Sequence, residues 1–302
     1  MQIVIEQVLI LLLFIAVGYT LGKTKIANSD HSKVLSVLGV YIFIPANIFK
    51  TFASRFTVAY LSEKYPLILA SVGIVVVMAL LSYPIAKLLI KDKYQQAIYR
   101  YSLVLPNYGY VGYALAEGIF GADMLLNVMI FALPMSLYTY TIGYCSLTRT
   151  KVNLKKLLSP TNVAIVLGAA WGLLGLPVPS VVGAVFNKAS ACMGPVSMLL
   201  TGIVISQYKL LDLFTNKNVY IISMLRLFVI PCAAAGVMCL MGLNPLVPPV
   251  LLILAMPCGM NTIVFPKLVG EDCRTGAALT CVTSILCCIT IPLCLWLFGI
   301  AA

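Results

Sequence analysis

Two apolar stretches of the sequence each contain proline, glycine and asparagine close together. They are LVLPNYGYVGYAL and AMPCGMNTIVFP. Proline removes a backbone donor and interrupts a helix, and each unpaired backbone group costs several kcal/mol in lipid. Such interruptions persist where they line a polar site, so we expect these stretches to bind a ligand. The residues concerned are Pro106, Asn107, Gly109 and Gly112 in the first stretch and Pro257, Asn261 and Thr262 in the second.

These residues must be positioned by membrane-spanning helices. The 302 residues are 62% hydrophobic and 10% charged, whereas a soluble domain carries about 25% charged residues. Apolar runs of about 18–25 residues match the thickness of a bilayer. We therefore predict an all-α polytopic protein of the cell membrane. Its net charge of +11 fits basic cytoplasmic loops and does not indicate nucleic-acid binding.

Hydropathy and Pro/Gly punctuation predict ten transmembrane helices, with interruptions in the fourth and the ninth. The predicted spans are 3–22, 33–54, 65–87, 97–117, 123–147, 160–176, 188–208, 218–241, 247–267 and 274–299. A basic linker at 148–159 separates the first five spans (1–147) from the last five (160–302).

The basic residues predict the orientation of the chain. The odd-numbered connections hold most of the Lys and Arg residues, while the even-numbered ones hold only Arg55, Lys64 and Lys188. By the positive-inside rule the odd connections are cytoplasmic, and both termini lie outside the cytoplasm.

With five spans per half, the second half starts on the opposite side of the membrane from the first. Homologous halves would then form an inverted repeat, which is common in secondary transporters. The interrupted fourth and ninth spans share Pro, Asn and Gly followed by Gly and an acidic residue. The second and seventh spans match around Pro45 and Pro195. We expect the two breaks to cross near the midplane, with Gly109 and Gly112 permitting close backbone approach.

Two further polar residues lie within predicted spans. Arg226 in the eighth span either attracts an anion directly, binds backbone carbonyls at a domain interface, or extends to the cytoplasmic edge. Asn47, after Pro45, either contributes a polar contact from the second span or hydrogen bonds to a freed carbonyl. No acidic residue is predicted in mid-membrane. Three alternatives for the coupling of transport therefore stay open: sodium bound at the breaks, a proton carried by the substrate, and transport without an ion.

The chain resembles the auxin efflux carrier family of the bile acid/arsenite/auxin carrier superfamily. The resemblance spans the chain and is most specific in VGYTLGKTKI, LSVLGVYIFIPANIFKTFA, LVLPNYGYVGYAL and AMPCGMNTIVFPKLVGED. It implies two inverted repeats, with spans 1, 2, 6 and 7 as a scaffold that often forms homodimers. Spans 3–5 and 8–10 would form a transport domain, broken at Pro106 and Pro257, that moves an organic carboxylate by an elevator mechanism.

The sequence departs from common bacterial members of that family at Cys258, Gly259 and Pro266. It also lacks the long central loop of the plant members. The leading hypothesis is a secondary transporter of small organic anions, such as mono- or dicarboxylates, that contains no metal or other cofactor. The alternatives are a membrane sensor or a channel of the same fold. The spans contain no catalytic Ser/His, paired-Asp or HExxH arrangement, so an enzyme is not predicted.

Overall fold

The computed structural model describes residues 2–150 and 158–300, which form helices joined by short connections. A single helical turn at Leu210–Leu213 lies in one of these connections. In chain order the longer helices are α1 (Gln2–Lys23), α2 (Ser29–Arg55), α3 (Val58–Leu89), α4 (Lys93–Val104), α5 (Tyr113–Phe120), α6 (Ala122–Thr148), α7 (Pro160–Leu173), α8 (Ser180–Ser206), α9 (Lys217–Leu240), α10 (Asn244–Leu254), α11 (Asn261–Leu268) and α12 (Arg274–Leu297).

The described residues include seven helices that are long and apolar enough to cross a membrane: α1, α2, α3, α6, α8, α9 and α12. The shorter helices α7 and α10 are also apolar. The predicted fourth span consists of α4 and α5, and the predicted ninth consists of α10 and α11. Both predicted interruptions are therefore present in the structure.

One boundary was wrong by more than two turns. Helix α8 begins at Ser180 rather than at 188, directly after the extended residue Pro179. Lys188 consequently lies inside a helix and not in an even-numbered connection. Most of the predicted linker 148–159 lies outside the described residues.

Several helices begin where a polar side chain accepts hydrogen bonds from the free N–H groups of the first turn. Asn28 Oδ1 accepts from the Asp30 N–H at 2.9 Å at the start of α2, and Asp92 Oδ1 accepts from the Gln95 N–H at 2.8 Å at the start of α4. Ser159 caps α7 in the same way. These caps set the helix starts in the connections, where the sequence is polar.

The helices pack in two groups. In the first, α1 packs on α8, α2 on α7, and α8 on α2. Glycines allow this close approach: a Cβ at Gly202 of α8 would lie 2.1 Å from the Ile15 carbonyl oxygen of α1. A Cβ at Gly172 of α7 would likewise lie 2.5 Å from the Phe52 oxygen of α2. In the second group α3 packs on α4 and α6, α9 packs on α10 and α12, and α6 joins α10.

The connections that carry most of the basic residues contact one another at one end of the bundle. Lys23 Nζ donates to the Tyr208 carbonyl at 3.2 Å, and Lys267 Nζ donates to Ser29 Oγ at 2.6 Å. Arg149 pairs with Glu271 at 3.2 Å. At the other end Arg55, at the end of α2, pairs with Asp123 at the start of α6, and Tyr60 Oη donates to Asn127 Oδ1 at 2.7 Å.

Four wider π-helical turns occur among the described residues, at Gly39–Phe43, Tyr108–Gly112, Thr139–Gly143 and Leu225–Val229. Two of them directly precede the segments that contain Pro45 and Pro231. Proline cannot donate the regular helical hydrogen bond, so a wider turn accommodates the missing donor. Because π-helical turns often mark functional sites, the turns at Tyr108–Gly112 and Thr139–Gly143 are candidates for one.

Candidate functional site

The breaks of the two interrupted spans lie directly against each other. Pro106 and Cys258 form an antiparallel backbone bridge, and the Asn107 N–H donates to the Pro257 carbonyl at 2.8 Å. On the other side of the break the Cys258 N–H donates to Thr283 Oγ1 of α12 at 3.0 Å. We call this pairing of residues 105–107 with 255–260 the crossover. It satisfies backbone groups that would otherwise be unpaired within a membrane.

Asn107 presents its side-chain amide at the crossover. It is 4% exposed and has φ −80° and ψ 58°, outside helical geometry. Its carbonyl accepts from the Gly112 N–H at 2.9 Å, but its side chain makes no capping hydrogen bond to the π-helical turn that follows. The amide is therefore not used to hold this turn.

Asn261 is the first residue of α11, which follows the second break. Its side chain is half-buried, and Nδ2 donates to Tyr101 Oη of α4 at 2.9 Å. This hydrogen bond joins the first arm of one interrupted span to the second arm of the other. The amide oxygen of Asn261 takes no part in this hydrogen bond and is the second polar atom of the side chain.

Thr262 and Pro257 shape the second break. Thr262 is fully buried, and its Oγ1 donates to the Gly259 carbonyl at 2.9 Å. Gly276 of α12 lies so close that a Cβ there would be 2.1 Å from the Thr262 carbonyl oxygen. The Thr262 hydroxyl thus closes the turn at the break, a role that the sequence did not predict.

Gly109 and Gly112 do not allow the close backbone approach that we expected. A Cβ at Gly109 would meet only Ile44 Cδ1, at 3.9 Å, and one at Gly112 would meet Met256 Cγ at 3.4 Å. Both values are ordinary van der Waals distances. The expectation was wrong because the nearest atoms facing these glycines belong to side chains, Ile44 of α2 at Gly109 and Met256 of the second break at Gly112. At Gly109 the missing side chain leaves space that only Ile44 borders within 4 Å.

Asn47 lies on α2, three residues after Ile44. It is fully buried, and its Nδ2 contacts Met193 Sδ of α8 at 3.7 Å. Its Oδ1 has no hydrogen-bond partner in the part of the chain that the structure describes. The structure therefore places Asn47 between α2 and α8, on the side of the first helix group, and not in the crossover.

Arg226 is fully buried in the π-helical turn Leu225–Val229 of α9. Its Nε, Nη1 and Nη2 atoms have no hydrogen-bond partner among the described residues. The turn packs against α4 and α12. Of the alternatives for Arg226, extension to the cytoplasmic edge and binding to backbone carbonyls do not agree with this geometry.

Tyrosines lie around the crossover, although no sequence pattern had pointed to them. Tyr101 binds Asn261, and Tyr108 Oη lies 3.2 Å from Thr139 Oγ1 in a third π-helical turn. Phe265 of α11 packs edge-on against Tyr101, with ring centroids 6.4 Å apart. Tyr108 belongs to the tyrosine-rich string YGYVGY, whereas Tyr101 and Phe265 lie elsewhere in the sequence and have no comparable signal.

Two cavities lie between the helix groups, and one of them reaches the crossover. The larger, about 240 Å³, lies among α1, α5 and α8 and is lined by Gln7, Glu117 and Ser190 among others. Lys50 Nζ lies at its edge, 3.3 Å from both Glu117 Oε1 and Ser190 Oγ. The smaller, about 20 Å³, reaches Pro257, and Leu115 lines both.

The potential metal ligands and the cysteines lie scattered among the residues that the structure describes. No group of three or more His, Cys, Asp or Glu residues could hold a metal ion there. The ten cysteines are unpaired with one another as disulfides. Five of them are buried and three are half-buried, as expected of small apolar packing residues.

Comparison with known proteins agrees with this architecture. The family model described as "Membrane transport protein" matches residues 3–151 and again 144–295, so each half of the chain matches. An uncharacterized transporter of Methanocaldococcus jannaschii is 26% identical over 310 residues, covering 98% of this chain and 99% of that protein. An uncharacterized transporter of Methanothermobacter thermautotrophicus is 24% identical over 302 residues, covering 95% of this chain and 96% of that protein. The chain is therefore a multi-pass membrane transporter, not an enzyme, and belongs to this membrane transport protein family, the auxin efflux carrier family that its motifs indicated.

Proposed function

We propose that the protein is a secondary active transporter that moves small organic anions, mono- or dicarboxylates, across the cell membrane. The observation that carries this proposal is the crossover, where two broken helices present the amides of Asn107 and Asn261 beside paired backbone. Asn107, Gly109, Asn261 and the prolines at the breaks form the proposed binding site, with Thr262 holding its shape. Asn47 contributes from the first helix group.

Electrostatics favours an anion over a cation at this site. Helix α11 begins at Asn261, and the turn leading into α5 begins directly after Asn107. Both helix N-termini, which carry partial positive charge, thus start at the crossover. Arg226 adds a full positive charge and is the one charged side chain among the buried residues of the described chain. We therefore propose that Arg226 supplies the charge that attracts the substrate carboxylate.

We further propose ten spans arranged as two inverted repeats. In this arrangement span 1 is equivalent to span 6, and span 2 to span 7. A contact between spans 1 and 7 should therefore have an equivalent between spans 6 and 2. The contacts agree, since α1 packs on α8 and α7 packs on α2, each through glycines. The meeting of the basic connections at one end supports the predicted orientation, with those connections in the cytoplasm and both termini outside.

The two helix groups correspond to a scaffold and a moving transport unit. The proposed scaffold is the group of α1, α2, α7 and α8, and the remaining helices carry the crossover. Since the cavities lie at the boundary between the groups, displacement of one group against the other would expose the site to alternate sides. A homodimer through the scaffold is part of the same proposal, and cross-linking in native membranes tests it.

Counterflow in proteoliposomes tests the function. Vesicles loaded with an unlabelled small carboxylate should transiently accumulate the labelled form above equilibrium, because a carrier exchanges bound substrates. Repeating the assay with and without sodium, and across pH, identifies the coupling ion. Flux that never saturates and shows no counterflow would identify a channel and refute the carrier.

A further inference from the structure

A positively charged side chain lies at the edge of the larger cavity between the two helix groups. Lys50 Nζ of α2 is 3.3 Å from both Glu117 Oε1 of α5 and Ser190 Oγ of α8. Glu117 and Ser190 line this cavity together with Gln7 of α1. The Lys50 and Glu117 side chains are 27% and 39% exposed, so both charged groups are accessible. The cavity therefore presents an ammonium group with a carboxylate of the chain already placed against it.

The contact between Lys50 and Glu117 is a weak one. Hydrogen bonds between charged nitrogen and oxygen atoms are usually about 2.7–2.9 Å long, whereas this distance is 3.3 Å. Ion pairs with partly exposed side chains also contribute little to stability. Another carboxylate can therefore replace Glu117 at Lys50 without a large change in the stability of the fold.

The size and lining of the cavity suit a small carboxylate. Its volume is about 240 Å³. Because a water molecule takes about 30 Å³ in the liquid, this volume admits about eight non-hydrogen atoms, as in a four-carbon dicarboxylate. A Cβ at Gly118 would lie 2.6 Å from Gln7 Oε1, so the glycine lets the Gln7 amide lie against α5. Ammonium, hydroxyl and amide groups are all hydrogen-bond donors to a carboxylate.

This cavity adjoins the one that reaches the crossover. Leu11 of α1 and Leu115 of α5 line both the larger cavity and the small cavity that extends to Pro257. Since α1 and α5 belong to different helix groups, movement of one group against the other changes the separation of these two leucines. An anion held at Lys50 is thus one cavity away from the proposed substrate site.

We propose that Lys50 and Ser190 form an entry site, which binds the substrate carboxylate before it reaches the crossover and which the Glu117 carboxylate occupies when substrate is absent. The arriving carboxylate replaces Glu117 at Lys50 Nζ and so breaks the ion pair between α2 and α5. Those helices belong to the proposed scaffold and the proposed transport unit, so binding at the entry site also removes a contact between them. This inference rests on the proposed transport function and adds a second binding site to it.

Protection of Lys50 from acylation tests the binding step. The purified protein is treated with sulfosuccinimidyl acetate, and acylation of each lysine is quantified by mass spectrometry. Sodium succinate and sodium acetate should each slow the acylation of Lys50 relative to sodium chloride at equal ionic strength. Because the bound carboxylate only replaces Glu117, it should change the unfolding temperature little, and acylation is the more direct measurement.

Lys64 is the matched control for this measurement. Its Nζ lies 2.6 Å from Glu63 Oε1 and its side chain is 25% exposed, but it does not line the cavity. Acylation of Lys64 should proceed at the same rate in all three salts. Equal rates of Lys50 acylation in the three salts would overturn the proposal.

Glu117→Gln distinguishes an entry site from an ion pair that only closes the cavity. Without the competing carboxylate, Lys50 should be acylated faster in chloride. The succinate concentration that halves this rate should fall by about two- to fivefold, the range that a partly exposed ion pair allows. Glu63→Gln is the control and should leave the protection of Lys50 unchanged. Faster acylation without protection by succinate, or an unchanged half-protecting concentration, would contradict competition between substrate and Glu117.

Failure of the transport function has a different signature. If the crossover does not bind carboxylates, no carboxylate will stabilise the protein in a way that depends on Asn107, while succinate still protects Lys50. If only the entry site fails, stabilisation by carboxylates will depend on Asn107, while Lys50 is acylated at the same rate with and without succinate.

Discussion

The Asn107 N–H donates to the Pro257 carbonyl across 2.8 Å, so two breaks that are about 150 residues apart in sequence form one structural element. Neither break would be stable alone in a membrane, because its backbone groups would lack partners. Together they satisfy one another and leave two asparagine side chains beside the junction. The proposed binding site is thus a consequence of how the interruptions are stabilised.

Gly109→Ala should separate stability from transport. The added Cβ would enter open space, 3.9 Å from Ile44 Cδ1, and alanine favours helix over glycine by about 0.5–1 kcal/mol. We expect unchanged or slightly higher thermal stability and slower uptake, because the methyl group occupies open space in the turn that begins directly after Asn107. Gly236→Ala, on α9 with no atom within 4 Å of the new Cβ, is the control and should leave uptake unchanged. Wild-type uptake in Gly109→Ala would show that this space is not used by the substrate.

The ion pair between Lys50 and Glu117 should affect transport more than stability. It joins α2 of the proposed scaffold to α5 of the proposed transport unit at 3.3 Å. The side chains are 27% and 39% exposed, and ion pairs of this kind contribute only about 0–1 kcal/mol. We expect Lys50→Glu to change the uptake rate with little change in unfolding temperature, and Lys50→Glu/Glu117→Lys to restore much of that rate. A double variant no better than the single one would argue against this contact in the transport cycle.

Epitope insertion tests the proposed orientation. A tag inserted after Lys91 lies in a basic connection, whereas a tag after Gly175 lies in a connection at the opposite end. Antibody should label intact cells only for the second variant, and permeabilised cells for both. Because both insertions fall between helices, both proteins are expected to fold. Labelling of the Lys91 tag in intact cells would reverse the assigned topology.

Much of the fold could be predicted from local patterns in the sequence. Apolar runs of membrane-spanning length predicted the helices, and Pro106 and Pro257 predicted the two interruptions, because proline removes a helical donor whatever its environment. The start of α8 was missed because Lys188 suggested a connection. In the structure that side chain is exposed on the helix surface, where a lysine is tolerated.

The details of the site depended on packing, which a sequence pattern does not contain. The sequence indicated glycines near Asn107 but not what faces them, so open space at Gly109 was mistaken for close backbone contact. Likewise Arg226 was recognised as a charged residue within a span, but its complete burial required the positions of α4 and α12. The hydrogen bond from Asn261 to Tyr101 joins residues far apart in the chain and has no local signal.

Carboxylate binding by crossover variants tests the central claim most directly. Purified wild type, Asn107→Ala and Asn261→Ala are screened by thermal unfolding against a panel of small mono- and dicarboxylates, with Asn187→Ala, an exposed position on α8, as the control. We predict that at least one carboxylate stabilises the wild type and the control. Ligand at about 100 times its dissociation constant adds about 2.7 kcal/mol to the free energy of unfolding. The same carboxylate should stabilise neither crossover variant, although both remain folded without it. Equal stabilisation of all four proteins would contradict a binding site at the crossover.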